Sequence, residues 1–210
     1  MKKRIAVLVS GGGTNLQALI DAQARGELGG GEIVAVVSSK AGAYALERAA
    51  KVGIPGYVLP RKNFDSNRAM TLALVEMLNK LGIDLVVLAG CMIIFTQELV
   101  DAYPNAVMNV HPALIPAFCG KGFYGLHVHE AALRYGVKLS GATVHFVSEE
   151  CDGGPIILQK AVAVREDDTP ETLQRRIMEE AEWKLLPRAV ALFCEDRLAV
   201  QGRTVIIKGE

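Results

Sequence analysis

Three short apolar runs constrain the fold of this chain more than any other feature. They cover residues 4–9, 33–37 and 84–89, and each is rich in valine, isoleucine or leucine. An apolar run without polar alternation is typical of a parallel strand that is buried on both faces of a sheet. Segments with helical spacing of apolar residues lie between the runs. The pattern therefore predicts an α/β fold, a Rossmann-like and mostly parallel twisted sheet with helices on both faces.

The C-terminal half departs from this alternation. Residues 139–147 and 155–164 form two further β-rich runs, and the short turn between them carries Asp152. A connection this short favours an antiparallel pair. Thr169 and Pro170 are typical of a helix start, and we expect that helix to run toward Pro187 and to kink or restart there. Other helices are predicted over 43–52, from Asp65 or Ser66 to about residue 80, over 96–103 and over 126–135, and a hairpin about residues 201–203 ends the fold.

A glycine-rich segment, Ser10-Gly11-Gly12-Gly13-Thr14-Asn15, joins the first strand to the first helix. Glycines let the backbone approach a ligand closely, and free N–H groups at a helix N-terminus favour an anion. The segment lacks the lysine of a P-loop, Leu16 breaks the dinucleotide pattern, and the second strand ends in Ser38-Ser39-Lys40 rather than in an acidic residue. It predicts a mononucleotide-type phosphate site, and the alternative is a tight turn that binds nothing.

Asn109 and His111 stand two residues apart at the end of a strand predicted over 106–110, just before Pro112. Side chains at i and i+2 of an extended segment point to the same side. An amide donor and an imidazole that titrates near neutral pH suit a reaction in which an oxyanion develops. A strand-end turn with satisfied hydrogen bonds is the alternative at this point.

The composition disfavours several classes of partner and compartment. Lysine plus arginine equals aspartate plus glutamate at 23 each, so no net charge attracts nucleic acid or an acidic membrane. The longest apolar stretch, 85–95, is too short to span a bilayer, and the run after Lys2-Lys3-Arg4 is too short for a signal peptide. Four scattered cysteines without a CxxC pair favour free thiols in a reducing cytoplasm.

All four histidines fall between residues 111 and 145, which raises the question of a metal site. His127 and His129 lie at a predicted helix start, where side chains at i and i+2 diverge, and no cysteine or carboxylate ligand set accompanies them. We therefore expect no metal. His145 alternates with apolar neighbours and is interpreted as a hydrogen-bonded histidine within a strand.

Three segments carry a family resemblance: 109–116 (NVHPALIP), 141–147 (GATVHFV) and 152–159 (DGGPIILQ). They resemble the folate-dependent formyltransferases, and the chain from residue 10 onward resembles the short glycinamide ribonucleotide transformylases of purine synthesis. The resemblance implies one domain over residues 1–210, with a phosphate-binding half (1–105) and a catalytic and folate-binding half (106–210). It also implies 10-formyltetrahydrofolate as co-substrate, the amine of glycinamide ribonucleotide as acceptor, and a monomer or homodimer.

The resemblance also assigns roles to individual residues. The implied catalytic residues are Asn109, His111 and Asp152. The implied contacts to the ribonucleotide phosphate and the glycinamide are Gly12, Gly13, Thr14, Asn15 and Glu182. The implied contacts to folate are Met92, Ile93, Ile94, Phe95, Asn109, Ser148, Glu149, Glu150, Cys151 and Asp152. In the expected mechanism Asn109 donates to the oxyanion, His111 acts as an imidazolium, and Asp152 raises the pKa of that ring.

Two features depart from the family pattern. Asn67 stands where a folate-contacting arginine is expected, with Arg68 beside it. The loop after Pro116 is longer, and its additional part, residues 119–124, includes Lys121. The resemblance further implies a cis peptide bond between Ile115 and Pro116.

Three other enzyme activities and one non-catalytic function are compatible with some of the same residues. A methionyl-tRNA formyltransferase would carry a basic C-terminal domain and a formyltetrahydrofolate deformylase an N-terminal regulatory domain, and we expect neither in a chain of 210 residues without net charge. A sugar-nucleotide formyltransferase is disfavoured by the glycine-rich segment and the chain length. A non-catalytic phosphate-binding module is disfavoured by the presence of Asn109, His111 and Asp152 together.

Overall fold

The structure, a computed structural model, describes residues 2–209 and contains one large mixed sheet. Its strands are β1 (Arg4–Val9), β2 (Glu32–Ser38), β3 (Gly56–Val58), β4 (Leu85–Leu88), β5 (Val107–His111), β6 (Leu139–Phe146), β7 (Ile156–Ala163), β8 (Leu198–Gln201) and β9 (Thr204–Ile207). Their order across the sheet is β3-β2-β1-β4-β5-β6-β7-β9-β8. Neighbours among β1 to β5 are parallel. The predicted α/β class with a mostly parallel sheet is confirmed.

The helices lie close to their predicted positions. They are α1 (Thr14–Ala24), α2 (Tyr44–Lys51), α3 (Asn67–Lys80), α4 (Gln97–Ala102), α5 (Leu126–Tyr135), α6 (Pro170–Ile177) and α7 (Trp183–Cys194), with a short 3-10 helix at Arg61–Asn63. Ser66, one of the two predicted caps, begins α3 because its hydroxyl accepts the N–H of Ala69 at 3.0 Å. No helix over residues 2–209 is both long enough and apolar enough to cross a membrane.

Helices cover both faces of the sheet because the side chains of β1 alternate between two hydrophobic cores. Ile5, Val7 and Val9 belong to a core that also contains apolar residues of α1, α2 and α7. Ala6 and Leu8 point the other way and pack in a core with α3 and α4. An uninterrupted apolar strand is therefore what this position in the fold requires, and the prediction of a strand buried on both faces is confirmed.

The order of the strands creates a crevice at one edge of the sheet. β2 and β3 lie on one side of β1, whereas β4 and β5 lie on the other. The connections after β1 and β4 lead to α1 and α4, which pack on opposite faces. Open α/β sheets bind ligands at such a switch point, beyond the carboxyl ends of the strands. Leu88 pairs with both Leu8 of β1 and Asn109 of β5, so the glycine-rich segment and Asn109 lie at the same edge.

β6 pairs antiparallel with both β5 and β7, which confirms the antiparallel pair predicted for the C-terminal half. In the β5–β6 register, Asn109 lies opposite His145 and His111 lies opposite Thr143. The predicted C-terminal hairpin is also confirmed, since β8 and β9 are antiparallel neighbours. The antiparallel pairing thus places a histidine of β6 beside the Asn109 amide.

The helix that was predicted to kink or restart at Pro187 is broken earlier. α6 ends at Ile177, a π-type turn covers Met178–Glu182, and Pro187 lies inside α7. Proline cannot donate to the carbonyl of residue 183, and its ring crowds that carbonyl, so the distortion falls on the N-terminal side of the proline. One consequence is that Glu182, at the end of the π-type turn, is buried against α1.

Gly13, the residue that precedes α1, is expected to tolerate no side chain. Its φ is +72°, and a Cβ there would lie 2.6 Å from the Cβ of Ala45. Gly13→Ala should therefore lower the free energy of unfolding by about 2 kcal/mol in urea denaturation. Gly11→Ala is the matched control, because a Cβ at Gly11 meets nothing within 4 Å. If Gly13→Ala and Gly11→Ala lower the free energy of unfolding equally, this account of the turn is wrong.

Candidate active site

A cavity of about 760 Å³ lies at the edge of the sheet beyond β4 and β5. Four segments contribute most of its wall: residues 90–97, residues 109–112, the loop 120–125 and the turn 147–152. The lining includes every residue to which the resemblance assigned catalysis or folate contact, namely Met92, Ile93, Ile94, Phe95, Asn109, His111, Ser148, Glu149, Glu150, Cys151 and Asp152. The fold thus brings these separate segments to one concave surface.

The carboxylate of Asp152 lies at the centre of the polar end of this cavity. Its Oδ1 is 3.3 Å from Nδ2 of Asn109, its Oδ2 is 3.5 Å from Nδ1 of His111, and the N–H of Gly120 donates to Oδ2 at 2.9 Å. Burial by itself raises the pKa of Asp152, but the nearby His145, His111 and Gly120 lower it to about 2. Asp152 is therefore an anion at neutral pH.

His111 is buried, with 4% of its surface exposed, between two hydrogen-bond acceptors. Its Nε2 lies 2.8 Å from the carbonyl oxygen of Phe118, and its Nδ1 faces Asp152. Burial lowers the pKa of His111 and outweighs the opposing effects of Asp152 and of the Phe118 carbonyl. The predicted effect of Asp152 is present, but the net direction is opposite to the prediction, because a desolvated ring disfavours charge.

His145 is a site residue that the sequence did not reveal. Its Nδ1 lies 2.8 Å from the carbonyl oxygen of Phe146, and its Nε2 lies 3.2 Å from Nδ2 of Asn109. Nε2 is also 3.7 Å from Oδ1 of Asp152. Only the β5–β6 register places His145 opposite Asn109, and that register is not visible in the alternation of residues 139–147.

The segment after β4 exposes large apolar side chains into the cavity. Met92 and Ile94 are each 63% exposed, whereas Ile93 and Phe95 are partly buried against the core on the α3 side. Exposed apolar groups clustered in a concave site are typical of a surface that binds a flat ligand. The opposite wall of the cavity, residues 148–152, includes Glu149 and Glu150 on the surface.

The glycine-rich segment lies next to the cavity and does not line it. α1 begins at this segment without any side-chain cap from the described residues 2–209. Its first N–H groups are therefore available to an anion. The hydroxyl of Ser10 accepts the N–H of Met92 at 2.9 Å, which joins the glycine-rich segment directly to the cavity wall.

Asn15 and Glu182, both assigned to substrate binding by the resemblance, are brought together although 167 positions separate them. The Asn15 amide donates to Glu182 Oε2 at 2.6 Å, and the Oδ1 of Asn15 is buried without a partner among the described residues. Glu182 is 4% exposed. Burial raises the pKa of Glu182 to about 7, and the hydrogen bond from Asn15 opposes this shift. Much of Glu182 is therefore protonated at neutral pH.

Of the residues that depart from the family pattern, Lys121 lines the cavity, whereas Asn67 and Arg68 do not. The Asn67 amide donates to the backbone carbonyl of Ile94, a residue of the cavity wall, at 3.4 Å. Arg68 forms an ion pair with Glu98 and does not line the cavity. Lys121, in contrast, lines the cavity from the loop 120–125. The Ile115–Pro116 peptide bond is cis, as the resemblance predicted.

The remaining candidate ligands are scattered. Within residues 2–209, no group of three or more histidine, cysteine, aspartate or glutamate side chains is arranged to hold a metal ion. His127 is exposed and lies 3.1 Å from Glu130, whereas His129 is fully buried. Cys91, Cys119, Cys151 and Cys194 are free thiols.

Residues 3–190 match the family model described as formyl transferase. The chain belongs to the formyl transferase family. It is 39% identical to the phosphoribosylglycinamide formyltransferase of Haemophilus influenzae, over 99% of this chain and 95% of that protein. It is 43% identical to a chloroplastic phosphoribosylglycinamide formyltransferase of Arabidopsis thaliana, over 94% of this chain and 67% of that protein.

A solved structure supports the same family. Glycinamide ribonucleotide transformylase 1 from Symbiobacterium toebii superimposes with a TM-score of 0.92 at 45% identity, over 98% of this chain and 94% of that one. The family resemblance drawn from residues 109–116, 141–147 and 152–159 is confirmed.

The raised pKa of Glu182 predicts a pH-dependent stability. The folded protein holds this proton up to about pH 7, whereas the unfolded chain releases it near its ordinary value of 4.5. The contribution of protonated Glu182 to the free energy of unfolding is therefore complete below pH 4.5. About 3 kcal/mol of this contribution is lost as the pH rises to 7. Glu182→Gln removes this loss, so its stability relative to the wild type should increase between pH 5 and 8 in urea denaturation.

Glu179→Gln is the matched control for this measurement. Glu179 lies in the same π-type turn and is exposed. Its substitution should leave the pH dependence of the wild type unchanged. If Glu182→Gln and wild type keep a constant difference in stability from pH 5 to 8, Glu182 is not the buried acid described here.

Proposed function

We propose that this protein transfers the formyl group of 10-formyltetrahydrofolate to the amine of 5'-phosphoribosylglycinamide, giving formylglycinamide ribonucleotide and tetrahydrofolate in purine biosynthesis. The observation that carries the proposal is the convergence of Asn109, His111 and Asp152 at the polar end of a largely apolar cavity. Membership of the formyl transferase family and the names of the relatives above support the same activity.

The two substrates fit two adjoining parts of the site. The pterin ring of the folate is flat, and the exposed Met92 and Ile94 offer it an apolar surface opposite the turn 148–152. The ribonucleotide phosphate fits the uncapped N-terminus of α1 at Gly12, Gly13 and Thr14. Asn15 and Glu182 lie beside that helix start, where the glycinamide can reach them.

In the proposed reaction the amine of the glycinamide attacks the formyl carbon, and the carbonyl oxygen becomes a tetrahedral oxyanion. The Asn109 amide is placed to donate to this oxygen. Its two contacts, 3.2 Å to His145 and 3.3 Å to Asp152, are long for hydrogen bonds. Contacts this long hold the amide weakly, so an oxyanion that lies closer to Nδ2 can take over one of its N–H groups in a shorter, charge-assisted hydrogen bond.

In this proposal His111 and Asp152 carry out the proton transfer from the attacking amine to N10 of the folate. The negative charge that develops on the oxyanion adds to that of Asp152 and raises the pKa of His111 in the transition state. His111 can then hold a proton beside the oxyanion and deliver it to N10 of the departing folate. The Asp152 carboxylate, ionised because its pKa is about 2, is able to orient a water molecule that accepts the proton of the attacking amine and passes one to His111, so that the proton lost by the amine balances the one that N10 receives. These steps use no metal and no covalent enzyme intermediate.

The catalytic assignments predict large losses of turnover. Asn109→Ala removes the oxyanion donor and should lower kcat by about 100- to 1000-fold. His111→Ala and Asp152→Asn should lower kcat by at least about 100-fold, because each removes part of the proton transfer. The measurement is the absorbance change as tetrahydrofolate forms in the presence of glycinamide ribonucleotide, with circular dichroism to check folding. Near-normal turnover of His111→Ala would contradict the mechanism.

His127→Ala is the matched control, since this histidine is exposed and does not line the cavity. It should retain wild-type kcat. The same assay without glycinamide ribonucleotide separates the transferase from a deformylase. Release of formate at an equal rate without the acceptor would favour the deformylase and reject the proposed function.

A further inference from the structure

Lys121 is the only lysine or arginine among the described residues that line the cavity. The carboxylates on the same surface are Glu149, Glu150 and Asp152. The side chains around the cavity thus carry more negative than positive charge. An anionic ligand that enters it is repelled by Glu149, Glu150 and Asp152, and Lys121 is the side chain placed to offset that repulsion.

The Lys121 ammonium is free to receive such a ligand. It is exposed, and within residues 2–209 it forms no ion pair and no side-chain hydrogen bond. Two basic side chains of the segment 61–68, whose Asn67 contacts the cavity-wall residue Ile94, are already engaged: Arg68 is paired with Glu98, and Arg61 donates to Asn67 and to the carbonyl of Phe64. An unpaired cation on the wall of a cavity that has three carboxylates is available to an anionic group of a ligand.

The backbone fixes Lys121 close to the reacting centre. The N–H of the preceding residue, Gly120, donates to Oδ2 of Asp152 at 2.9 Å. The Cα of Lys121 follows about 3.8 Å further along the chain. Gly120 and Gly122, with φ of +87° and +95°, allow the turn that carries Lys121 past Asp152. Lys121 therefore follows directly after the residue that contacts Asp152, and it lines the same cavity.

We infer that Lys121 binds the carboxylates of the glutamate tail of the formyl folate, an inference that rests on the proposed function. The formyl group is attached to N10, and the tail leaves N10 through the aminobenzoyl ring to end in carboxylates. The inference places N10 beside Asp152 and His111 and the tail along the loop 120–125, which lines the same cavity and carries Lys121. Lys121 thus offsets the repulsion from Glu149 and Glu150 and contributes to specificity for the folate over uncharged pterins.

The test compares Lys121→Gln and Lys121→Arg with the wild type. Lys121→Gln should raise KM for 10-formyltetrahydrofolate about two- to fivefold, the range of an exposed ion pair, with kcat and KM for glycinamide ribonucleotide unchanged. Lys121→Arg should restore KM. With 10-formyltetrahydropteroate, which lacks the glutamate, wild type and Lys121→Gln should have equal KM. Lys138→Gln removes the same charge at an exposed position outside the cavity lining and should leave KM for the folate unchanged.

The outcomes separate the inference from the proposed function. An unchanged KM for the folate in Lys121→Gln, or an equal increase with and without the glutamate tail, would overturn the inference while the wild type still transfers formyl groups. Calorimetric titration with tetrahydrofolate gives an independent reading of the same contact. A wild type that neither binds tetrahydrofolate nor transfers the formyl group would overturn both the inference and the proposed function.

Discussion

The carboxylate of Asp152 connects its own turn to three other parts of the chain, and the geometry of the candidate site depends on it. It contacts Asn109 and His111 of β5, lies close to His145 of β6, and accepts the N–H of Gly120 from the loop after Pro116. These groups hold its pKa at about 2 although burial alone would raise it. A fixed anion at this point orients the donors that the proposed chemistry needs, and it anchors the loop that closes one wall of the cavity.

The pKa values of the Asp152 and Glu182 carboxyl groups are shifted in opposite directions because their surroundings differ. Asp152 has donors and imidazole rings around it, whereas Glu182 has one amide, that of Asn15, and is otherwise desolvated. A protonated Glu182 next to the start of α1 does not repel an anion at the glycine-rich segment. The protein thus keeps negative charge at the catalytic end and reduces it at the proposed phosphate end.

The positions of most helices and strands could be predicted from local patterns, whereas several contacts and charge states that depend on distant neighbours could not. The strand over residues 4–9 and the helix after Ser66 follow from apolar periodicity and capping, which are local. The role of His145 depends on the β5–β6 register, and the break at Met178–Glu182 depends on how a proline is accommodated within packed helices. The predicted effect of Asp152, which raises the pKa of His111, is present, but the prediction omitted desolvation, which lowers that pKa by more.

The sequence by itself determined the α/β class, the antiparallel pair and the residue types of the site, because periodicity and short motifs act over a few neighbouring positions. It also carried the family resemblance in residues 109–116, 141–147 and 152–159. The tertiary structure alone decided that Asp152 meets His145, that Asn15 meets Glu182, and that Lys121 is the lone lysine or arginine lining the described cavity. Burial and long-range pairing set these contacts and the charge states that follow from them, and neither is a property of any short stretch of chain.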